Sequence, residues 1–119
     1  MELDNLTNPE LDRLCAEALG WKWQGEDLIE VAGYIRYVVT RNSEFFNEVS
    51  SDFSPTTNKA QAMDLLIELT DKHDVLLEHY NDTHYVECTH KAFETMLEGK
   101  DADLLVAIVK AYIMSKGDL

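Results

Sequence analysis

The sequence predicts an α+β domain: three main helices packed on a small, mainly antiparallel sheet of three or four strands. Three observations predict it. Two short apolar runs, Val75-Leu76-Leu77 and Tyr85-Val86, flank Tyr80-Asn81-Asp82-Thr83, a hairpin signal because Asn and Asp accept left-handed backbone. Helical faces with their own start and stop signals lie before and after that hairpin and can cover it. A length of 119 residues, 45% of them hydrophobic, suits a single domain over residues 1–119 with a core that needs no staples.

The first helix is the best defined. Residues Met1 to Thr7 read as a lead-in, and Asn8 is the expected N-cap, with Pro9 at the first helical position. Leu11, Leu14, Cys15, Ala18 and Leu19 then repeat on one face, and Gly20 stops the helix. Gly20-Trp21-Lys22-Trp23 follows as a short extended piece. In residues 24 to 51, Leu28, Val31, Ala32 and Ile35 fit a helical face, but Gly33 argues for a break and Tyr34 to Val39 is expected as a strand. Arg41 to Asp52 reads as a helical turn or an ordered loop around Phe45, Phe46 and Val49.

Phe53-Ser54-Pro55-Thr56-Thr57-Asn58 leads into the second helix, capped by Thr57 or Asn58, with Gln61 placed as in a capping box. Ala62, Leu65, Leu66 and Leu69 form its expected buried stripe, widened by Met63 and Ile67. If Asn81-Asp82 is a two-residue turn, Val75 lies opposite Cys88, Leu77 opposite Val86 and His79 opposite His84, all on one face. Leu76, Glu78 and Tyr80 share the other face with Glu87, Tyr85 and Thr83. Ala92 to Leu97 reads as a third antiparallel strand or a short helix, and Gly99 as a break. Asp101 or Asp103 starts the last helix, Leu104 to Met114. Leu104, Leu105, Ile108, Val109 and Tyr112 share a face, so this helix is expected to be the most buried.

Charge is the unusual bulk property. Twenty-three Asp plus Glu against ten Lys plus Arg leave a formal charge of −13 and a pI near 4.5. Direct binding of nucleic acid or anionic membrane through a general basic surface is therefore excluded, because like charge repels. The acids form no run of five or six, which suits a solvated surface. A surface imitating DNA phosphates is the sharper alternative. Cys15 and Cys88 sit at apolar-face positions and read as buried reduced thiols. No run approaches the roughly 18 apolar residues of a membrane span, and the acidic start lacks a signal peptide's basic region. A cytoplasmic protein is expected.

Ala16-Glu17-Ala18-Leu19-Gly20-Trp21 ends the first helix, Phe53-Ser54-Pro55-Thr56-Thr57-Asn58 opens the second, and an aliphatic helix with Leu105-Val106-Ala107-Ile108-Val109-Lys110-Ala111 closes the chain. In this order of signals the sequence resembles the small bacteriophage proteins grouped as the phage ABA-sandwich domain. The resemblance implies helices sandwiching a small sheet, a phage or prophage origin, and action inside a bacterial cell. It covers the two ends and the middle helix but not Gln24 to Asp52, and it implies no catalytic residue.

Four histidines, His73, His79, His84 and His90, fall close together. On the hairpin register His79 faces His84 and His73 faces His90, with the pairs six residues or about 20 Å apart, too far for one four-histidine site. A metal at His79 and His84 would need a third ligand, for which Asp82 is the nearest. Glu78 and Glu87 are diagonal rather than adjacent, a poor acid–base pair. No phosphate loop, His-Glu-x-x-His or Cys-x-x-Cys occurs. No catalytic residue, metal or cofactor is therefore assigned. The expected function is binding of a host or phage protein through the acidic surface, with Trp21, Trp23, Tyr34 and Tyr37 as contact candidates. The alternatives are a ligand-binding protein or enzyme with a pocket near His79 and His84, and a homo-oligomer pairing through an exposed sheet edge.

Overall fold

The computed structural model describes residues 3–20, 22–24, 27–29, 37–40 and 51–117, the strands before residue 53 by their backbone alone. In order these hold α1 (Asn8–Ala18), β1 (Lys22–Gln24), β2 (Asp27–Ile29), β3 (Tyr37–Thr40), β4 (Ser51–Asp52) and α2 (Lys59–Leu69). Then come β5 (His73–Tyr80), β6 (Thr83–His90), β7 (Met96–Asp101) and α3 (Leu104–Gly117). The fold is α+β. Strands β5, β6 and β7 form an antiparallel sheet in that order, and β1 to β4 form a second sheet in which β3 and β4 are parallel. Of the strand expected at Tyr34 to Val39, the part before Tyr37 lies outside the described residues, and β3 carries the rest through Thr40.

Local chemistry starts the helices. Thr7, not Asn8, caps α1, because Glu10 stands three residues on and closes a reciprocal capping box that Asn8, facing Leu11, could not. Glu10 Oε1 accepts from the Thr7 N–H at 2.8 Å, which holds its carboxyl below the usual glutamate value. Asn58 caps α2, its side chain accepting from the Gln61 N–H at 3.0 Å. The Gln61 side chain does not reciprocate; it accepts from the Ser54 N–H at 2.6 Å. Asp103 starts α3 by accepting from the Leu105 N–H at 2.8 Å.

The core is built around α3, which packs on β6, β7, α1 and α2. Its residues Val106 to Ile113 are buried without a break, so it is more enclosed than either neighbour, as the apolar run predicts. Even Lys110 is buried; it donates to Asp4 Oδ1 and Asp101 Oδ1, each at 3.1 Å, and to the Lys100 carbonyl at 3.2 Å. From α1 come Leu11, Cys15 and Ala16, and from α2 Ala62, Leu65 and Leu69. Met63 and Ile67 do not widen that stripe: they are 42% and 62% exposed. Cys15 and Cys88 are free and buried, and burial pushes both thiols up, Cys88 to about 11.

The hairpin register is the predicted one along all of β5, from His73 opposite His90 to Tyr80 opposite Thr83. Asn81 and Asp82 turn with φ of 53° and 58°, the paired left-handed residues of a type I′ turn. The third strand starts later than expected, at Met96, and Gly99 lies inside it, opposite Val86. Residues 91–93 form the preceding turn, closed by the His90 N–H on the Thr95 carbonyl at 2.8 Å. Helix α3 lies so close over Gly99 that a side chain there would strike its backbone.

Candidate functional site

Alternation in β5 to β7 sends Val75, Val86, Cys88, Leu97 and Gly99 toward α3 and the residues between them the other way. That second face is open: Leu76 is 51% exposed, Tyr80 53% and Met96 65%. The register sets Leu76, Glu87 and Glu98 in one row across the sheet and Glu78, Tyr85 and Lys100 in the next. Two glutamates therefore stand directly opposite each other, an arrangement that weakens a sheet. With Asp74 and Glu78, four carboxylates share this face with one ammonium, that of Lys100.

Tyr80 and Tyr85 stack beside them, ring centroids 4.5 Å apart and 14° from parallel. A hydrogen bond with Tyr85 pushes the Tyr80 phenol up, and the charges of Glu78 and Glu98 push the same way. Exposed leucine, methionine and stacked tyrosines in an acidic setting suit a partner that brings positive charge and some apolar surface. No helix among the described residues is long and apolar enough to cross a membrane.

The other residues singled out in the sequence fall elsewhere. His79 and His84 sit at the hairpin tip on the α3-side face, their rings stacked at 4.1 Å and 17° rather than converging through their nitrogens. Asp82 is exposed within the turn. Among the described residues no three His, Cys, Asp or Glu side chains are grouped to hold a metal ion. Trp21 and Tyr34 lie outside the described residues. Trp23 is in β1 opposite Leu28, and Tyr37 in β3 opposite Ser51.

A concave site does exist on the hairpin, at the other pair of histidines. A cleft of about 280 Å³ opens where α2 and α3 end against the base of β5 and β6, among Glu68, Lys72, His73, His90, Tyr112 and Lys116. This cleft lies at the opposite end of the hairpin from His79 and His84, near which Leu77 is 45% exposed. The Tyr112 hydroxyl donates to Glu68 Oε1 at 2.8 Å, with Lys116 Nζ 3.6 Å from the same oxygen. Burial and that carboxylate push the Tyr112 phenol well up. His90 Nδ1 accepts from the Ala92 and Phe93 N–H groups at 3.1 and 3.2 Å, so its proton resides on Nε2. His73 meets it edge to face at 5.1 Å, with Nδ1 buried and without a hydrogen-bond partner.

Glu98 is the residue of the open face that sequence reasoning missed. Treating Gly99 as a break removed its neighbours from the sheet, although Met96-Leu97-Glu98-Gly99-Lys100 alternates as a strand does. Asp12 was missed too. It is 5% exposed and accepts from the Thr56 N–H at 3.1 Å, the Thr56 hydroxyl at 3.0 Å and the Ser54 hydroxyl at 3.3 Å. No family model, curated protein or solved structure matches the chain.

Proposed function

We propose that this chain is a small, non-enzymatic accessory protein that binds a basic protein through the open face of the β5–β6–β7 sheet. The observation that carries the reading is the pairing of Glu87 with Glu98 on an uncovered surface flanked by Leu76 and Met96. Like charges face to face cost folding stability, and a partner's lysines or arginines would turn that cost into attraction. The phage resemblance supplies the setting: a phage or prophage product acting in the bacterial cytoplasm on a host or phage protein. Of the expected sandwich of helices about the sheet, α3 supplies the cover of one face of β5–β6–β7, and the other face is the open one.

The test is capture by the immobilised full-length protein, followed by titration of the purified partner against wild type and the Glu87→Gln, Glu98→Gln double variant. The reading expects a basic partner, several-fold weaker binding by the variant, and steep release with salt. Retention at about 1 M salt, or equal binding by the variant, rejects it.

A second reading is favoured by the cleft at His73 and His90, whose Lys72 ammonium makes no ion pair among the described residues. There the chain would take a small ligand. A thermal shift on adding a metabolite panel, lost in His73→Ala, would support it.

A further inference from the structure

We infer that two copies of this chain pair through the free edge of β5, antiparallel about a twofold axis at Leu77, to make one continuous six-stranded sheet. This inference does not depend on the basic-partner reading, because it uses the main chain of the strand and not the acidic face.

The argument starts from what the edge lacks. In the order β5–β6–β7, β5 is terminal, and its eight residues pair with β6 without a bulge. It carries no proline and no lysine, the usual guards against edge-to-edge pairing. From Leu76 to Tyr80 the strand is exposed on both faces, with Leu76 and Leu77 at 51% and 45%. An edge with apolar side chains on either side and neither proline nor lysine is a template for another strand.

The hairpin fixes which main-chain groups are free. In the two-residue turn the Tyr80 carbonyl faces the Thr83 N–H, so Tyr80, Glu78, Leu76 and Asp74 bond inward to β6. The N–H and C=O groups of His79, Leu77, Val75 and His73 then point outward. A second strand must meet these odd residues, and facing residues must share a face, so only registers that set odd against odd are allowed.

Overlap and charge choose among them: an axis at Val75 would pair only residues 73–77 of each copy, whereas one at Leu77 pairs residues 74–80. With the axis at Leu76, Asp74 would face the partner's Glu78, twice over. With the axis at Glu78, the two Glu78 carboxylates would face each other. With the axis at Leu77, the two Leu77 side chains meet, Val75 faces the partner's His79, Leu76 faces the partner's Glu78, and Asp74 faces the partner's Tyr80. No like-charged pair arises, and the twofold axis closes the contact at two copies.

The experiment is sedimentation of the full-length protein over a range of concentrations in low and high salt. The expected result is a mass that rises with concentration from 13.6 kDa to twice that value. Salt should tighten the association, since each copy carries a formal −13. That is opposite to its effect on a basic partner, so the two readings fail separately. Leu77→Lys should weaken the dimer at least about tenfold while keeping the monomer's far-ultraviolet spectrum, because it places two ammonium groups on the axis at an exposed site. The Glu98→Gln variant should sediment as wild type does.

A short thiol-to-thiol cross-linker should join Leu77→Cys to itself and leave Leu76→Cys single, with Cys15 and Cys88 buried and unreactive. A mass fixed at that of one chain at every concentration overturns the proposal. Cross-linking through Leu76→Cys in place of Leu77→Cys overturns the register.

Discussion

Gly99 lies beneath the Ala107 carbonyl of α3 so closely that a Cβ on it would strike that oxygen and sit 2.6 Å from the Ala111 nitrogen. Both obstacles are helix backbone, so no side chain can swing aside. Gly99→Ala must lift α3 from the sheet it covers, and we expect a loss of at least about 3 kcal/mol in urea unfolding. A variant as stable as wild type would show that α3 does not sit on β7 as described.

The pairing of Glu87 with Glu98 leads to a prediction with opposite effects on stability and binding. Glu98→Gln removes one of two facing charges and should stabilise the fold by about 0.5 kcal/mol. The gain should shrink as salt is added, because the face is open to solvent. A melt series in low and high salt measures both. Destabilisation by this substitution would mean that Glu98 has a favourable partner within the chain.

Asp12 predicts a pH dependence whose sign can be worked out. Its burial pushes the carboxyl up, against the pull of the Thr56 and Ser54 hydrogen bonds. The folded state therefore holds the proton more tightly than the unfolded chain does. The stability contributed by protonation is full below the ordinary aspartate value and is lost as pH rises through the raised one. Asp12→Asn keeps an acceptor for the Thr56 N–H and has no proton to lose. Its stability relative to wild type should rise across that window and level off above it, as urea unfolding at stepped pH would show. Asp12→Ala strands the buried Thr56 N–H and should cost about 2 kcal/mol below that window.

The turn offers a stabilising change. Asp82 holds φ at 58°, where glycine carries no steric penalty. Asp82→Gly yields Asn-Gly, the preferred pair for this turn, and should add about 0.5 kcal/mol, read as a higher unfolding midpoint. A lower midpoint would indicate that the Asp82 side chain has a structural duty.

What could be read in the sequence was what neighbouring residues decide among themselves. The hairpin register follows from alternation around Asn81-Asp82, and the helix starts follow from side chains three residues from the groups they satisfy. Even there the α1 cap was misplaced by one residue, because Asn8 and Thr7 are both good caps and only Glu10 discriminates between them. Distant contacts were illegible. Gly99 resembles a strand breaker until a helix backbone is laid on it, and Asp12 resembles a surface acid until Thr56 arrives. The open face was hidden for the same reason: alternation says which residues share a side, but what covers that side is a matter of packing. So Glu78 and Glu87 were visible, and the Glu98 that stands opposite Glu87 was not.

The Asp12–Thr56 bond joins positions 44 residues apart. It works as a clasp: whatever the intervening chain does, it leaves and returns at one fixed point beside α1. That makes the stretch a cassette in engineering terms, with ends already held at a set span. Exchanging residues 21–52, which follow α1 and precede Phe53, for a short glycine-serine bridge should leave the helices and the β5–β6–β7 sheet free to fold without them.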